Sequence, residues 1–470
     1  MLKTRAQSEI VHEMERLVAG IEPEHEVGEA RDGCLSSGHP CGGAPRVAGG
    51  ALAAHRSGEP EAAAGGGAPV VLVVPIVPAL GGNGLAMRAG MVLEALAERC
   101  EVDLVVVPVS GALAETAWAS AVARSLVVVA PVGDPASARE HLTRQLADPL
   151  ARGRLERSAP LPERARLVPP TLAAQALPAL LPRARRARAL FVLRGYLAPL
   201  GCALAAALQA QRLIVDLDDD DEQFERSAGR GGEADAIARL AREWLPDADF
   251  VCAAAAHEAS VIAARYGLSS VRVLPNAVRP PAHTTAPPGE RRLLFVGNLT
   301  YEPNLEAAHM LAHEILPLVR ERHPDATVDL VGPNDGSLEP SSHVRVAGRV
   351  AELAPWYDGA DVVVAPLLRG GGTRIKVLEA FAHRRPVVAT AAAVAGLAVR
   401  DGHEVSLGGT PRELAERVGA LLAEPRRAAA MVEAAGGTLA SQYLQEVVAQ
   451  QVWALAADEP PQSEPGGARA

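Results

Sequence analysis

The chain has 470 residues, a net charge of −10 and 49% hydrophobic residues, with aromatics at only 3%. Single cores rarely grow past roughly 250–300 residues, so two domains are expected. The acidic balance, the scarcity of aromatic platforms and the lack of a basic stripe argue against nucleic acid as a partner.

Residues 1–68 open with charges scattered through "MLKTRAQSEIVHEMERLVAG", unlike a signal peptide. They continue rich in Gly, Ala, Pro and Glu, which reads as a flexible tail. Order begins at "APVVLVVPIVPALGGNGLAMRAGMVLEALAERCEVDLVVVPV", a strand, glycine loop, helix and strand. Its continuous apolar runs fit parallel strands covered on both faces. "RSLVVVAPV" and "RALFVLRG" read as strands, "PLGCALAAALQAQ" as a helix, and "RLIVDLDDDDEQF" as a strand ending in acid. A helix, short strand and helix follow, and "VRVLPNAV" closes a first Rossmann-like domain, 69–278. The Pro-rich stretch 279–290 reads as a linker.

The rhythm then restarts in a second Rossmann-like domain, 291–437. "RRLLFVGNL", "ATVDLVG", "HVRVAGRV", "ADVVVAPL" and "PVVAT" are its strands, with the long helix "PNLEAAHMLAHEILPLVRERH" after the first. A terminal helix, 438–457, is expected to pack back toward the first domain, and 458–470 reads as a second tail. The fold class is therefore α/β, two parallel-sheet domains facing a cleft where open sheets bind ligands at their strand C-termini. The five cysteines (Cys34, Cys41, Cys100, Cys202, Cys252) are odd in number and lack CxxC spacing. They argue against a disulfide scaffold or zinc site and fit a reducing cytoplasm. No apolar stretch reaches the about 18 residues that a membrane span needs. Peripheral contact with the inner face of a membrane stays open.

The chemistry concentrates in "RGGGTRIKVLEAFAHRRPVVAT", Arg369 to Thr390. Gly370, Gly371 and Gly372 allow positive φ and close approach of a ligand to the backbone. Free N–H groups at the following helix start form an anion site. Arg374 and Lys376 oppose the helix dipole there, and make sense with an anion between them and the N–H groups. An ordinary loop with solvated charges is the competing reading. Leu378 and Phe381 fall on the core side of the helix. Glu379 is either a surface residue or a carboxylate for vicinal hydroxyls such as those of ribose. There is no GxxxxGK[ST] motif. "GGNGLA" offers backbone N–H groups at Gly82, Asn83 and Gly84, or is simply a tight turn. In "LIVDLDDDDEQFE", Asp218 and Asp219 are candidates to orient or deprotonate a hydroxyl; helix capping with a solvated acidic turn is the alternative. Arg194 could meet an anionic acceptor or lie at the surface.

Three stretches, "ADFVCAAAAHEASVIAARYGLSSVRVLPNAV", "LLFVGNLTYEPNLEAAHMLAHEILPLVRERHPDATVDLVG" and the region from "VRVAGRV" to "AVAGL", resemble a GT-B glycosyltransferase of the large retaining family 4, the glycosyl transferases group 1 type. The likeness is to the subgroup that assembles exopolysaccharides or envelope glycans. It spans roughly Pro69 to Trp453 and is strongest in the second half. The resemblance implies a nucleoside-diphosphate sugar held mainly by the second domain and a glycan, lipid-linked or small-molecule acceptor held by the first. It implies no resident cofactor and no strict need for a metal. Of two glutamates spaced E-x7-E in the family, the second matches Glu379 and would bind ribose, while the first falls at Gly371. Arg374 and Lys376 would pair with the diphosphate. The implied ligand-binding set is Gly82, Asn83, Gly84, Gly297, Asn298, Gly371, Gly372, Thr373, Arg374, Lys376, Leu378 and Glu379, with Asp218, Asp219, Arg374 and Lys376 as the catalytic group. Glycine at 371 keeps a second reading open, a catalytically degenerate GT-B protein acting as a binding or assembly partner.

Overall fold

A computed structural model describes residues 68–82, 84–109, 116–130, 168, 170–369 and 374–457. The expected tails lie outside these residues, apart from Ala68, as do Asn83 and the turn 370–373.

The first sheet is wholly parallel. In chain order its strands are β1 (Val70–Val74), β2 (Val102–Val106), β3 (Ser125–Val128), β4 (Ala189–Leu193), β5 (Leu213–Asp216), β6 (Phe250–Ala253) and β7 (Arg272–Val273), arranged β3-β2-β1-β4-β5-β6-β7. Strands β1, β2, β4 and β5 are buried along their whole length, so both sheet faces are covered. The order reverses between β1 and β4, the switch point at which such sheets open a crevice.

Helices α1 (Gly84–Ala97), α2 (Ala117–Val122), α3 (Ala173–Ala184), α4 (Ala198–Ala207), α5 (Asp221–Ser227), α6 (Gly231–Trp244) and α7 (Ala256–Tyr266) accompany this sheet. Helix α3 was not expected, because Pro178 and Pro182 lie inside it. Both prolines are exposed, while Ala173, Ala176, Leu177, Leu180 and Ala184 form a buried stripe at helical spacing. Tertiary burial outweighs the proline penalty.

The second sheet contains β8 (Arg292–Val296), β9 (Thr327–Val331), β10 (Val344–Gly348), β11 (Val362–Ala365), β12 (Val387–Ala389) and β13 (Ser406–Leu407), in the order β10-β9-β8-β11-β12-β13 and again parallel. Its helices are α8 (Glu302–Met310), α9 (Leu316–Arg320), α10 (Ala354–Asp358), α11 (Ile375–Ala382), α12 (Pro411–Ala423) and α13 (Pro425–Gln442); α14 (Gln445–Ala457) ends the described chain. A π turn, Leu311–Ile315, joins α8 to α9 just before Pro317, which has no N–H to continue the regular ladder.

The backbone crosses between the sheets twice, and the crossings pair. Val278 N–H donates to Tyr443 O at 3.0 Å, and Gln445 N–H donates to Val278 O at 3.2 Å. This pairing interrupts the expected terminal helix at Tyr443. Beyond it, α14 lays Val448, Ala449, Val452 and Ala456 into the core around β1 and α1.

One buried side chain ties the first sheet to this hinge. Arg88 of α1 is 1% exposed. Its Nε and Nη2 donate to both oxygens of Asp216 at 2.7 and 2.8 Å, Nη1 to Asn276 Oδ1 at 2.8 Å, and Nη2 also to Leu274 O at 2.8 Å. Replacing Arg88 by Met leaves Asp216 buried without its partner. Guanidinium-chloride unfolding should show a loss of about 3 to 5 kcal/mol, and Arg88→Met combined with Asp216→Leu should recover much of it. Unfolding midpoints unchanged in the single variant would contradict this role.

Candidate functional site

Both sheets present their strand C-termini to the same region. A Cβ on Gly396, in the loop after β12, would come within 2.6 Å of the Ala255 side chain at the start of α7. The two domains therefore touch at the ends of β6 and β12.

On the second sheet, α11 follows β11 through the glycine turn. Arg374 caps α11 and is half-buried. Lys376 is half-buried one turn in. Its Nζ donates to Asn304 Oδ1 at 2.6 Å and lies 4.7 Å from the centroid of the Phe295 ring. Burial first, then the neighbouring Arg374, pulls the ammonium down to about 7, against the pull of Glu379. Glu379 accepts from the Tyr357 hydroxyl at 2.8 Å. Burial pushes its carboxyl up, and the Tyr357 hydrogen bond and Lys376 hold it back. Tyr357 is fully buried from α10 and stacks on His383 at 4.7 Å, so the hydroxyl that orients Glu379 is itself held by packing.

Gly297 and Asn298 follow β8. Asn298 Oδ1 accepts from Thr300 N and Oγ1 at 3.1 and 2.8 Å, and its carbonyl accepts from Asn304 Nδ2 at 3.0 Å. Its side chain thus shapes the turn that presents Asn304 to Lys376. Gly332, after β9, has φ +143°, and a Cβ there would lie 1.8 Å from Gly297 O. Only glycine permits this approach of the two strand ends. Leu378 is 1% exposed in the core, as its helical position implies, and presents its side chain to the sheet. Gly371, Gly372 and Thr373 lie outside the described residues, as does Asn83; Gly82 has φ +94° and Gly84 begins α1.

On the first sheet the acidic run divides into distinct parts. Asp216 belongs to Arg88. Asp218 is 3% exposed with φ +64°, a left-handed conformation uncommon for a residue with a side chain. Its Oδ1 lies 3.5 Å from Arg88 Nε and makes no hydrogen bond, and its Oδ2 lies 3.4 Å from Arg194 Nη1. Burial and Asp219 push the Asp218 carboxyl up, and the two guanidiniums oppose that. Asp219 is half-buried, 3.4 Å from Arg194. Asp220 caps α5 by accepting from Gln223 N at 3.0 Å, so the capping reading holds for that residue. Arg194 is not at the surface: it is 9% exposed, has φ +82°, and its guanidinium faces Asp218, Asp219 and Asp221.

Four contributors escaped the sequence reading: Arg88, Asn304, Tyr357 and Glu258. Glu258 sits in the first turn of α7. Burial, then Asp219, pushes its carboxyl up to about 7, and Arg374 of the other domain opposes this across the cleft. One signal was available for the lysine. Of 46 lysines and arginines only two are lysine, Lys3 and Lys376. A chain that uses arginine almost everywhere else keeps a compact ammonium where a planar fork would have to fit between Phe295 and Asn304.

Residues 290–424 match the family model for glycosyl transferases group 1. A curated protein of Klebsiella pneumoniae, "Uncharacterized 44.6 kDa protein in cps region", is 27% identical over 125 residues, 24% of this chain and 32% of that protein. Among solved structures, Anabaena HepE in complex with UDP and glucose aligns over 82% of this chain and 98% of its own, with a TM-score of 0.57 and 14% identity. Sucrose-phosphate synthase of Thermosynechococcus elongatus aligns over 83% and 98%, with a TM-score of 0.58 and 16% identity. The fold is thus the two-domain GT-B fold of glycosyltransferases. The matched segment, residues 290–424, carries Lys376 and Glu379. Among the described residues, no helix is long and apolar enough to cross a membrane.

With so few lysines, Lys376 can be titrated directly. Reductive ¹³C-methylation followed by NMR should give a Lys376 resonance with a midpoint near 7, assigned by its loss in Lys376→Arg. The ammonium form prevails below that pH. A bound pyrophosphate ester should raise the midpoint. An ordinary lysine midpoint of about 10.4 would refute the desolvated setting.

Proposed function

We propose that the protein transfers a sugar from a nucleoside-diphosphate sugar to a carbohydrate, lipid-linked or small-molecule hydroxyl, with retention of anomeric configuration. The observation that carries this reading is the pairing on one helix of a desolvated ammonium and a carboxylate held by Tyr357. Lys376 and Arg374, with the N–H groups opening α11, would receive the diphosphate. Glu379, fixed by Tyr357, would accept from the ribose hydroxyls. The backbone at Gly297 and Asn298 would approach the phosphates.

In the transfer, the bond between the sugar C1 and the β-phosphate oxygen breaks, and a bond from C1 to the acceptor oxygen forms. Charge grows on the departing phosphate. Donors fixed beforehand lower the barrier because they need no reorganisation as that charge appears. The acceptor proton passes to the leaving phosphate on the same face, with Asp219 or Asp218 orienting the acceptor hydroxyl. In this reading the cationic side chains carry the leaving group without a metal. The match to a protein of a cps region supports a place in polysaccharide assembly.

Calorimetry with UDP-, GDP- and ADP-sugars tests the donor assignment. One of them should bind, and Glu379→Ala should weaken it by about 10- to 100-fold, the worth of a hydrogen bond to a charged group. Failure of the wild-type protein to bind any of the three would sink the assignment. Binding without transfer or hydrolysis of any donor, together with tight capture of a partner transferase, would favour the degenerate reading.

A further inference from the structure

A pocket of about 330 Å³ opens at the C-terminal edge of the first sheet. Its floor and walls are apolar: Leu217 after β5, Ile237 and Leu240 of α6, Leu245 behind them, and Ile262 and Tyr266 of α7. Asp219, Asp220, Asp221 and Glu222 form its rim. Each of these acids already has a cationic partner. Asp219 and Asp221 face Arg194, Asp220 lies 2.7 Å from Arg265, and Glu222 lies 2.8 Å from Arg226 while accepting from the Tyr266 hydroxyl at 2.8 Å. The rim therefore offers oxygen acceptors to hydroxyl donors with little net charge for an ion. Arg239 of α6, exposed, also lines the pocket; a bare sugar would leave the apolar wall wet, and an anionic group would meet four rim carboxylates against that one further guanidinium.

We propose that this pocket takes the uncharged apolar aglycone of the acceptor, an aryl or compact cyclic alkyl group, with the hydroxyl-bearing end of the acceptor at Asp219. The proposal rests on the sugar-transfer reading of the cleft and narrows it. The volume holds a ring of six to ten heavy atoms with its link to a sugar and does not hold an extended polyprenyl chain. The pocket lies at the C-terminal ends of β4, β5 and β6, the end of the sheet at which open α/β sheets place their ligands. Seating a phenyl or cyclohexyl group against Ile237, Leu240 and Ile262 should tighten binding about tenfold to hundredfold over a methyl group.

Isoleucine-methyl NMR on the full chain tests this. The probes are benzyl alcohol and phenyl and cyclohexyl glucosides, set against glycerol, methyl glucoside and geranyl phosphate. The Ile237 and Ile262 methyl resonances should move with the first three at concentrations at least tenfold below any effect of the polar controls. Ile237→Trp, or Leu240→Trp should that variant fold poorly, should abolish the Ile262 response. Equal response to methyl glucoside, response to geranyl phosphate alone, or still methyls with every probe would each overturn the proposal. Nucleotide-sugar binding is measured on the same wild-type sample. If it persists while the methyls stay still, only the pocket assignment fails; if it is lacking, the transfer reading itself fails.

Discussion

The site depends on one guanidinium buried in the first domain. Arg88 sits among apolar strands with four hydrogen bonds, two to Asp216, one to Asn276 and one to the Leu274 carbonyl. Removing a charge from water is costly unless its donors are satisfied, and here the partners come from two separate parts of the chain. α1, the end of β5 and the turn leading to the hinge are held in one register by this arrangement. The left-handed Asp218 follows Asp216 by two residues, so its unusual backbone is set by the same anchor. The hinge begins where Asn276 ends, and the Val278–Tyr443 pairing ties the outgoing chain to the returning one.

The second domain solves a different problem with fewer charges. Among the described residues, Lys376 has lost much of its water and has gained an amide oxygen, an aromatic face and the more distant pull of Glu379 in return. A cation so held is poorly satisfied by the protein alone, and an arriving anion would gain correspondingly more from it. Glu379, one turn on, is likewise desolvated, yet its orientation is fixed by a buried tyrosine that stacking holds in place. Such preorganisation moves the ordering cost from binding to folding.

The architecture was legible in the sequence because parallel strands covered on both faces read as uninterrupted apolar runs, and "VVLVV", "ALFVL" and "RLLFV" all became buried strands. The helix carrying Lys376 and Glu379 was legible because Leu378 and Phe381 fall on one face at helical spacing. Helix α3 was not, since the prolines that veto a helix locally sit on its exposed face. The partners were also hidden. Tyr357 reaches Glu379 from 22 residues away and Arg88 reaches Asp216 from 128, separations at which no periodicity operates. Read alone, the acidic run at 216–221 is a uniform block. Only its arginines, drawn from α1, β4 and α7, divide it into anchor, strained carboxylate, rim and helix cap.

That division gives the cleft a chemical direction. The first sheet surrounds its acids with Arg88, Arg194 and Arg265, so its edge is polar but close to neutral. The second sheet leaves a lysine and an arginine at a helix start without a carboxylate in hydrogen-bonding range of the lysine. A doubly charged diphosphate would find its electrostatic gain on the second sheet alone, and a neutral hydroxyl compound would lose least by binding at the first. Glu258, across the cleft from Arg374, belongs to the opposite domain, and the two charges act on each other.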